Sequence, residues 1–498
     1  MNVNPITRLD YPDPDVIRVE DTYYMVSTTM HFMPGCEILQ SFDLVHWEHA
    51  TYVYETLDHT DAQQLKSGQN IYGQGMWAAS LRYHEGRFYI CFVANDTRKT
   101  YLYTSEKIDG PWKKQLIEGF YHDGSLLFDE DGRNYIVYGN DEIWITELNE
   151  DLTAPKKGGL HRLLVSDHKN PELGYEGSHI QKINGYYYIF LIHSLRDRWM
   201  RTEACFYSDS LEGEFTGGDV LCDDRGYCGQ GVAQGGIVDT PDGKWYAMLF
   251  QDSGAVGRIP ILVPVTWKDH FPFFGQNGHV PEEIEVHSTR PEYIYQPLVG
   301  SDDFCNGLLP RWQFNHDPDP RYYHLDALQG TYTITTREVC TELTQAVNTL
   351  TQRMSYPSCA AEVTVDASAL KEGDVAGLCA LQGCYAAVGI TKHHGKYEVL
   401  MLDKKEDGIL DMTERTVVES HQMDFRLVAD FCNMKDEARC YYRVNKGDWL
   451  PIGTVHKLYF KLDHFTGCRF GLFCYAAEET GGSACFRDFK YYDVDEIS

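Results

Sequence analysis

The sequence predicts an all-β protein, a five-bladed β-propeller over residues 1–295 followed by a β-sandwich over 301–498, and three observations carry that expectation. The 34 Tyr, 23 Phe and 9 Trp recur in short runs broken by Gly, Asp and Asn, the pattern of half-buried pleated strands. Long helical periodicity is hard to find. One hairpin-like pattern recurs through the first 290 residues, and a chain of 498 residues exceeds what one hydrophobic core usually organises.

The repeated unit is a β-prone run, an acidic or Gly-containing turn, and an aromatic-rich run of similar length. It occupies residues 16–25, 81–90, 126–136, 180–189 and 237–247. Five hairpins at a spacing of a few tens of residues match four-stranded propeller blades.

A propeller brings the start of each innermost strand to one end of a central channel, so equivalent positions of different blades converge there. Counting back from each turn, Asp13 lies eight residues before Asp21, Asp123 nine before Gly132 and Glu176 nine before Gly185. The same count puts Trp77 nine before Gly86 and Gln234 nine before Gly243. The expectation is one ring carrying three carboxylates, a flat aromatic and an amide. Most of the 74 acidic residues are expected to be solvated surface groups. Three acids at one repeat phase in apolar-rich segments, however, would concentrate like charge at a cost that only a task explains.

Glycosidic cleavage is such a task. One protonated carboxyl donates to the leaving oxygen, and one ionised carboxylate activates water or attacks carbon. A third acid can tune the pair through like-charge repulsion. Composition and phase supply the trio without assigning its parts.

The segment at residues 11–19, Tyr-Pro-Asp-Pro-Asp-Val-Ile-Arg-Val, resembles the first motif of glycoside hydrolase family 43. Asp123-Gly124-Ser125-Leu126 and Glu176-Gly177-Ser178-His179 resemble the other two, in the family's order. The resemblance implies an inverting β-xylosidase or α-L-arabinofuranosidase on a five-bladed propeller. It implies Asp13 as the general base that activates water, Glu176 as the general acid, and Asp123 as the residue that orients the acid and favours its protonated form. His179 and Arg258 match family positions that serve the substrate. Trp77 offers an apolar face for a sugar ring, and Phe32 is expected to wall the sugar site. No cofactor is expected to be required. Where relatives carry an axial histidine beside calcium, this chain has Gln234, whose carbonyl could serve a structural calcium ion.

Residues 301–498 read as alternating strands with sandwich-core segments at 376–383 and 470–475. They resemble the concanavalin-like sandwich that follows the propeller in a subset of the family. In such relatives the sandwich closes one side of the pocket, which favours removal of end units. The implied substrate is a xylo- or arabinoxylo-oligosaccharide, with xylose and arabinofuranose both open as the released sugar.

The net charge of −30 argues against nucleic acid and anionic membrane surfaces as partners. No apolar run is long enough to span a bilayer. The opening ten residues lack secretory-signal features and the fifteen cysteines lack metal spacing, so a cytoplasmic location with reduced cysteines is expected. Two other readings remain open at this point: a carbohydrate-binding propeller without chemistry, and a retaining fructoside hydrolase. Carboxyl separations of about 5–5.5 Å would suit the retaining route and about 6.5–9.5 Å the inverting one, and the wider spacing is expected for Asp13 and Glu176.

Overall fold

The computed structural model describes residues 3–493. Five antiparallel sheets follow one another along the chain. The first blade holds Asp15–Val19, Thr22–Val26, Gly35–Ser41 and Glu48–Tyr54, and the second runs from Met76–His84 to Lys113–Ile117. The third runs from Ser125–Phe128 to His161–Ser166 and the fourth from Glu176–Ile183 to Thr216–Leu221. In the fifth the inner strand is split into Val232–Ala233 and Ile237–Asp239, both paired with Trp245–Asp252. The five-bladed propeller and the following sandwich are therefore as expected.

The hairpin signals work through backbone geometry. Glu85-Gly86 and Asn184-Gly185 have positive φ at both central residues, the turn geometry whose twist matches the flanking strands. Each blade is contiguous in sequence, and the ring closes where the segment before the first blade meets the last one, Ile6 N–H donating to the Pro260 carbonyl and Tyr11 N–H to that of Arg258, and through side chains. Arg18 donates through Nε to Asp239 Oδ1 at 3.2 Å. Beneath that pair, Tyr11, Val16, Tyr23 and Met25 pack with Val238, Tyr246, Met248 and Leu262, and this apolar burial supplies most of the closing energy.

The C-terminal sandwich packs an eight-stranded on a seven-stranded sheet, with a core that includes Leu350, Leu378, Val388, Phe425, Phe470 and Phe486. One edge strand of the larger sheet comes from the propeller: Phe32–Met33 pairs with Gln313–Asn315. That covers a sheet edge which would otherwise present unpaired backbone groups.

A buried charge cluster lies in the same seam. Glu37 Oε2 is 2.9 Å from Arg353 Nη1, with side-chain exposures of 2% and 4%. Arg353 also lies 4.0 Å over the Tyr11 ring and donates to the Asp10 carbonyl. Removing one partner leaves an uncompensated buried charge. Arg353→Ala is accordingly expected to lower stability by about 3–5 kcal/mol, measured by equilibrium chemical unfolding of the full chain. All fifteen cysteines are free, ten of them buried, as befits small apolar core residues.

Candidate active site

The innermost strands converge as the repeat requires, with one correction. Asp15, Ser80 and Ser125 each accept a backbone N–H from the next blade, at Leu81, Leu126 and Ile180. This ladder makes Asp15, Ser80, Ser125 and His179 equivalent, and Gly236, facing His179 and Asp15, is their counterpart in the fifth blade. Two residues earlier stand Asp13, Ala78, Asp123, Gly177 and Gln234. Asp13, Asp123, Gly177 and Gln234 share a positive φ of 53°, 48°, 64° and 63°.

Asp13, Asp123 and Gln234 thus occupy one structural position, whereas Glu176 and Trp77 stand one residue earlier. A register shift in each of their blades, between Glu176 and His179 and between Trp77 and Ser80, projects them outward, as β-bulges do. Gly177 takes the ring position in the fourth blade because a Cβ there would lie 2.7 Å from the Gln234 side chain and the φ is left-handed.

The three carboxylates meet different surroundings. Asp13 is buried; its Oδ1 accepts from Arg258 Nη1 at 2.9 Å and its Oδ2 from the Thr28 hydroxyl at 2.6 Å. Asp123 is buried as well, and its Oδ2 accepts from the Gly177 N–H at 3.0 Å. Glu176 is more open, and its Oε2 accepts from Asn140 Nδ2 at 2.6 Å.

Between the last two lies His122, with Nε2 3.5 Å from both Asp123 Oδ2 and Glu176 Oε2. Burial pushes the Asp123 carboxyl up to about 6; His122 opposes that, and the charges of Glu176 and Asp13 add to it. Asp123 raises the His122 imidazole to about 9 against its own burial, with Glu176 and Asp13 contributing.

Both shifts mean that the folded site holds protons more tightly than the unfolded chain. His122 therefore contributes fully below its unfolded value of about 6.5, and that contribution is lost as pH climbs through about 9. Stability should fall over this window by up to about 3 kcal/mol, and His122→Gln should flatten the slope. Thermal unfolding of both proteins at intervals from pH 6 to 9.5 measures it.

One layer down, Arg82 ties four blades together. It donates to Asp15, Ser125, the Leu126 carbonyl and the Ile180 carbonyl. Burial alone would favour protonated Asp15, but Arg82 and then His179 outweigh it and hold the carboxyl at about 2. His179, expected to serve the substrate, has its Nδ1 3.1 Å from Asp15 Oδ1 and is buried. It thus braces the floor, lining a narrow axial recess with Asp13, Asp123 and Gln234.

Phe32 is also placed differently from expectation. It is 2% exposed, carries the Arg469 guanidinium 3.4 Å over its ring and pairs with Asn315. The chain bends into the interdomain sheet there, so Phe32 belongs to the seam.

The sandwich supplies a residue that sequence order conceals. Phe465 packs 5.3 Å from the Trp77 ring, and the Arg258 guanidinium lies 4.3 Å over it. Its loop is fastened to the propeller: Gly467 N–H donates to Asp10 Oδ2 and Cys468 N–H to the Ala255 carbonyl. Phe465 and Glu176 both line a cavity of about 600 Å³ between the domains.

Among the described residues, His122, Asp123 and Glu176 bring ligand-type atoms within 4.8 Å of one another. Gln234 lines the axial recess with Asp13, Asp123 and His179, so amide and carboxylate oxygens of the type a calcium ion accepts stand there.

Residues 3–272 match the model of glycosyl hydrolases family 43, and residues 301–492 match the β-xylosidase C-terminal concanavalin A-like domain. A β-xylosidase of Formosa agariphila is 26% identical, the alignment covering 99% of this chain and 89% of that protein. A non-reducing end α-L-arabinofuranosidase of Bacteroides ovatus is 24% identical over 82% of this chain and 79% of its own length. The structure of a bifunctional GH43-CE protein of Bacteroides eggerthii superposes with a TM-score of 0.93 at 42% identity, covering all of this chain, which spans 64% of that one. Motif order, blade geometry and family model agree: the chain belongs to glycosyl hydrolases family 43 and is a glycoside hydrolase with the family's concanavalin A-like domain.

Proposed function

We propose that the protein is an inverting, exo-acting hydrolase that releases terminal xylose or arabinofuranose from xylo- or arabinoxylo-oligosaccharides. The observation that carries this reading is the division of the carboxylates between two environments. Glu176 lines the open interdomain cavity, whereas Asp13 sits in the closed axial recess. An acid must reach the leaving oxygen, and a base must hold water on the opposite side of the sugar.

In this reading Glu176, oriented by Asn140, protonates the leaving oxygen, and Asp13, oriented by Arg258 and Thr28, takes a proton from the attacking water. Asp123 is linked to the acid through His122 and the Gly177 backbone. Arg258 Nε and Nη2 are buried without hydrogen-bond partners, which suits donors reserved for a sugar hydroxyl. Phe465 and Trp77 offer apolar faces for the ring that is released. The names of the relatives, one a β-xylosidase and one an α-L-arabinofuranosidase, support both pentoses, whose hydroxyls one pocket can accept.

The test is hydrolysis of aryl β-D-xyloside and aryl α-L-arabinofuranoside side by side with the purified full chain. Release of pentose from at least one is expected. No release from either, with a folded protein, would remove the reading.

A further inference from the structure

The interdomain cavity is larger than the sugar to be cleaved. Its volume of about 600 Å³ lies within the range of about 300–1,000 Å³ that encloses drug-sized ligands, whereas a pentose unit has only about ten non-hydrogen atoms. Glu176 lines this space and Asp13 does not. If Glu176 is the acid, the extra space lies on the leaving-group side of the scissile bond.

Its walls carry sugar-binding chemistry that the proposed mechanism does not use. Trp199 is 43% exposed, among the most exposed aromatic side chains of the propeller, and it stands on the hairpin between Tyr186–Ser194 and Arg201–Ser208, beside the strand that starts at Glu176. The guanidinium of Arg201 is 5.3 Å from its ring centroid and 5.2 Å from that of Phe250. Arg201 Nε is in turn 2.8 Å from Asp252 Oδ2. The cation beside the indole is thus buried and itself paired, an arrangement that favours one face of the ring. The sandwich side of the cavity contributes Leu462, 72% exposed. An exposed tryptophan beside polar Arg201, Asp252 and Gln230 matches the amphipathic faces of a pyranose.

We propose that this cavity is a leaving-group groove in which Trp199 stacks on a sugar beyond the scissile bond, making the preferred substrate an oligosaccharide and not a simple glycoside. The proposal rests on the function given above and adds the identity of the recognising surface and the length of substrate it reads. Trp199 is a specificity-determining residue; it plays no part in bond cleavage.

The test compares Trp199→Ala with the unmodified protein on a pentosyl fluoride, whose one-atom leaving group leaves the groove empty, and on a matched linear or branched xylo-oligosaccharide of four sugars. The expected result is pentosyl-fluoride kcat/KM within twofold and oligosaccharide kcat/KM at least tenfold lower, the loss falling on KM and Trp199→Tyr restoring most of it. Equal losses on both substrates would show a structural role, and no loss on either would show an unused surface; both overturn the proposal. If the unmodified protein cleaves neither substrate, the functional reading fails. Calorimetric binding of the same oligosaccharide then decides the groove independently: binding that Trp199→Ala weakens at least tenfold supports it, and binding indifferent to the change overturns it.

Discussion

Glu176→Gln is expected to lower kcat on unactivated oligosaccharides by about 10³–10⁴-fold and to lower it far less on aryl glycosides with a good leaving group. The asymmetry follows from what the side chain supplies. A leaving sugar alkoxide needs a proton in the transition state, whereas an activated phenolate departs without one. Gln is nearly isosteric, but its amide has no proton to give. Binding should therefore survive, and KM should change little. Steady-state kinetics on a pair of substrates differing only in leaving group measure the effect. A uniform loss on both would place Glu176 outside the acid role.

Asp13→Asn should be as damaging, about 10³-fold or more, with no recovery on an activated leaving group. The base acts on the water, and a better leaving group does nothing for the nucleophile. The change is sterically conservative. Asp13 accepts from Arg258 and from Thr28, and Asn keeps one acceptor oxygen for them. It leaves the buried Arg258 guanidinium without its counter-charge, so thermal unfolding should move to lower temperature while the kinetic loss persists in the folded protein. A large fall in melting temperature with a modest kinetic effect would assign Asp13 to the architecture alone.

Much of this arrangement was legible because a propeller converts sequence phase into spatial convergence. Asp13 and Asp123 were found by counting back from their turns, and the structure gives them one backbone position with one unusual φ. Glu176 was found by the same count for a different reason. Its hairpin places Gly177 at the shared position, and a register shift moves the acid to the rim. A β-bulge adds one residue to its strand, and in this blade the count of nine from the turn falls one residue before the shared position.

The contribution of the second domain could not be read in this way. Phe465 reaches Trp77 and Arg258 from nearly the end of the chain, and no periodicity links a sandwich loop to a propeller channel. Phe32 shows the converse. An aromatic residue near the motifs looked like a pocket wall, but its backbone was drawn into the sandwich sheet. His122 stands next to Asp123 in sequence, yet a single histidine carries no signal until Glu176, 54 positions on, is seen 3.5 Å from its Nε2.

The asymmetry between a closed recess and an open cavity also explains why the domains are so firmly joined. The loop bearing Phe465 is anchored through Asp10, Ala255 and Gly467, the first two on the propeller. A cap held by backbone hydrogen bonds can exclude water from the sugar without closing as a mobile lid.

The central claim is that water held by Asp13 attacks from the side opposite Glu176. Proton NMR of the sugar released in the first seconds of hydrolysis of a β-D-xyloside, or of an α-L-arabinofuranoside if that is the better substrate, tests it most directly. The account predicts that the first product has the anomeric configuration opposite to that of the substrate, followed by mutarotation. A first product that retains the substrate's configuration would contradict it.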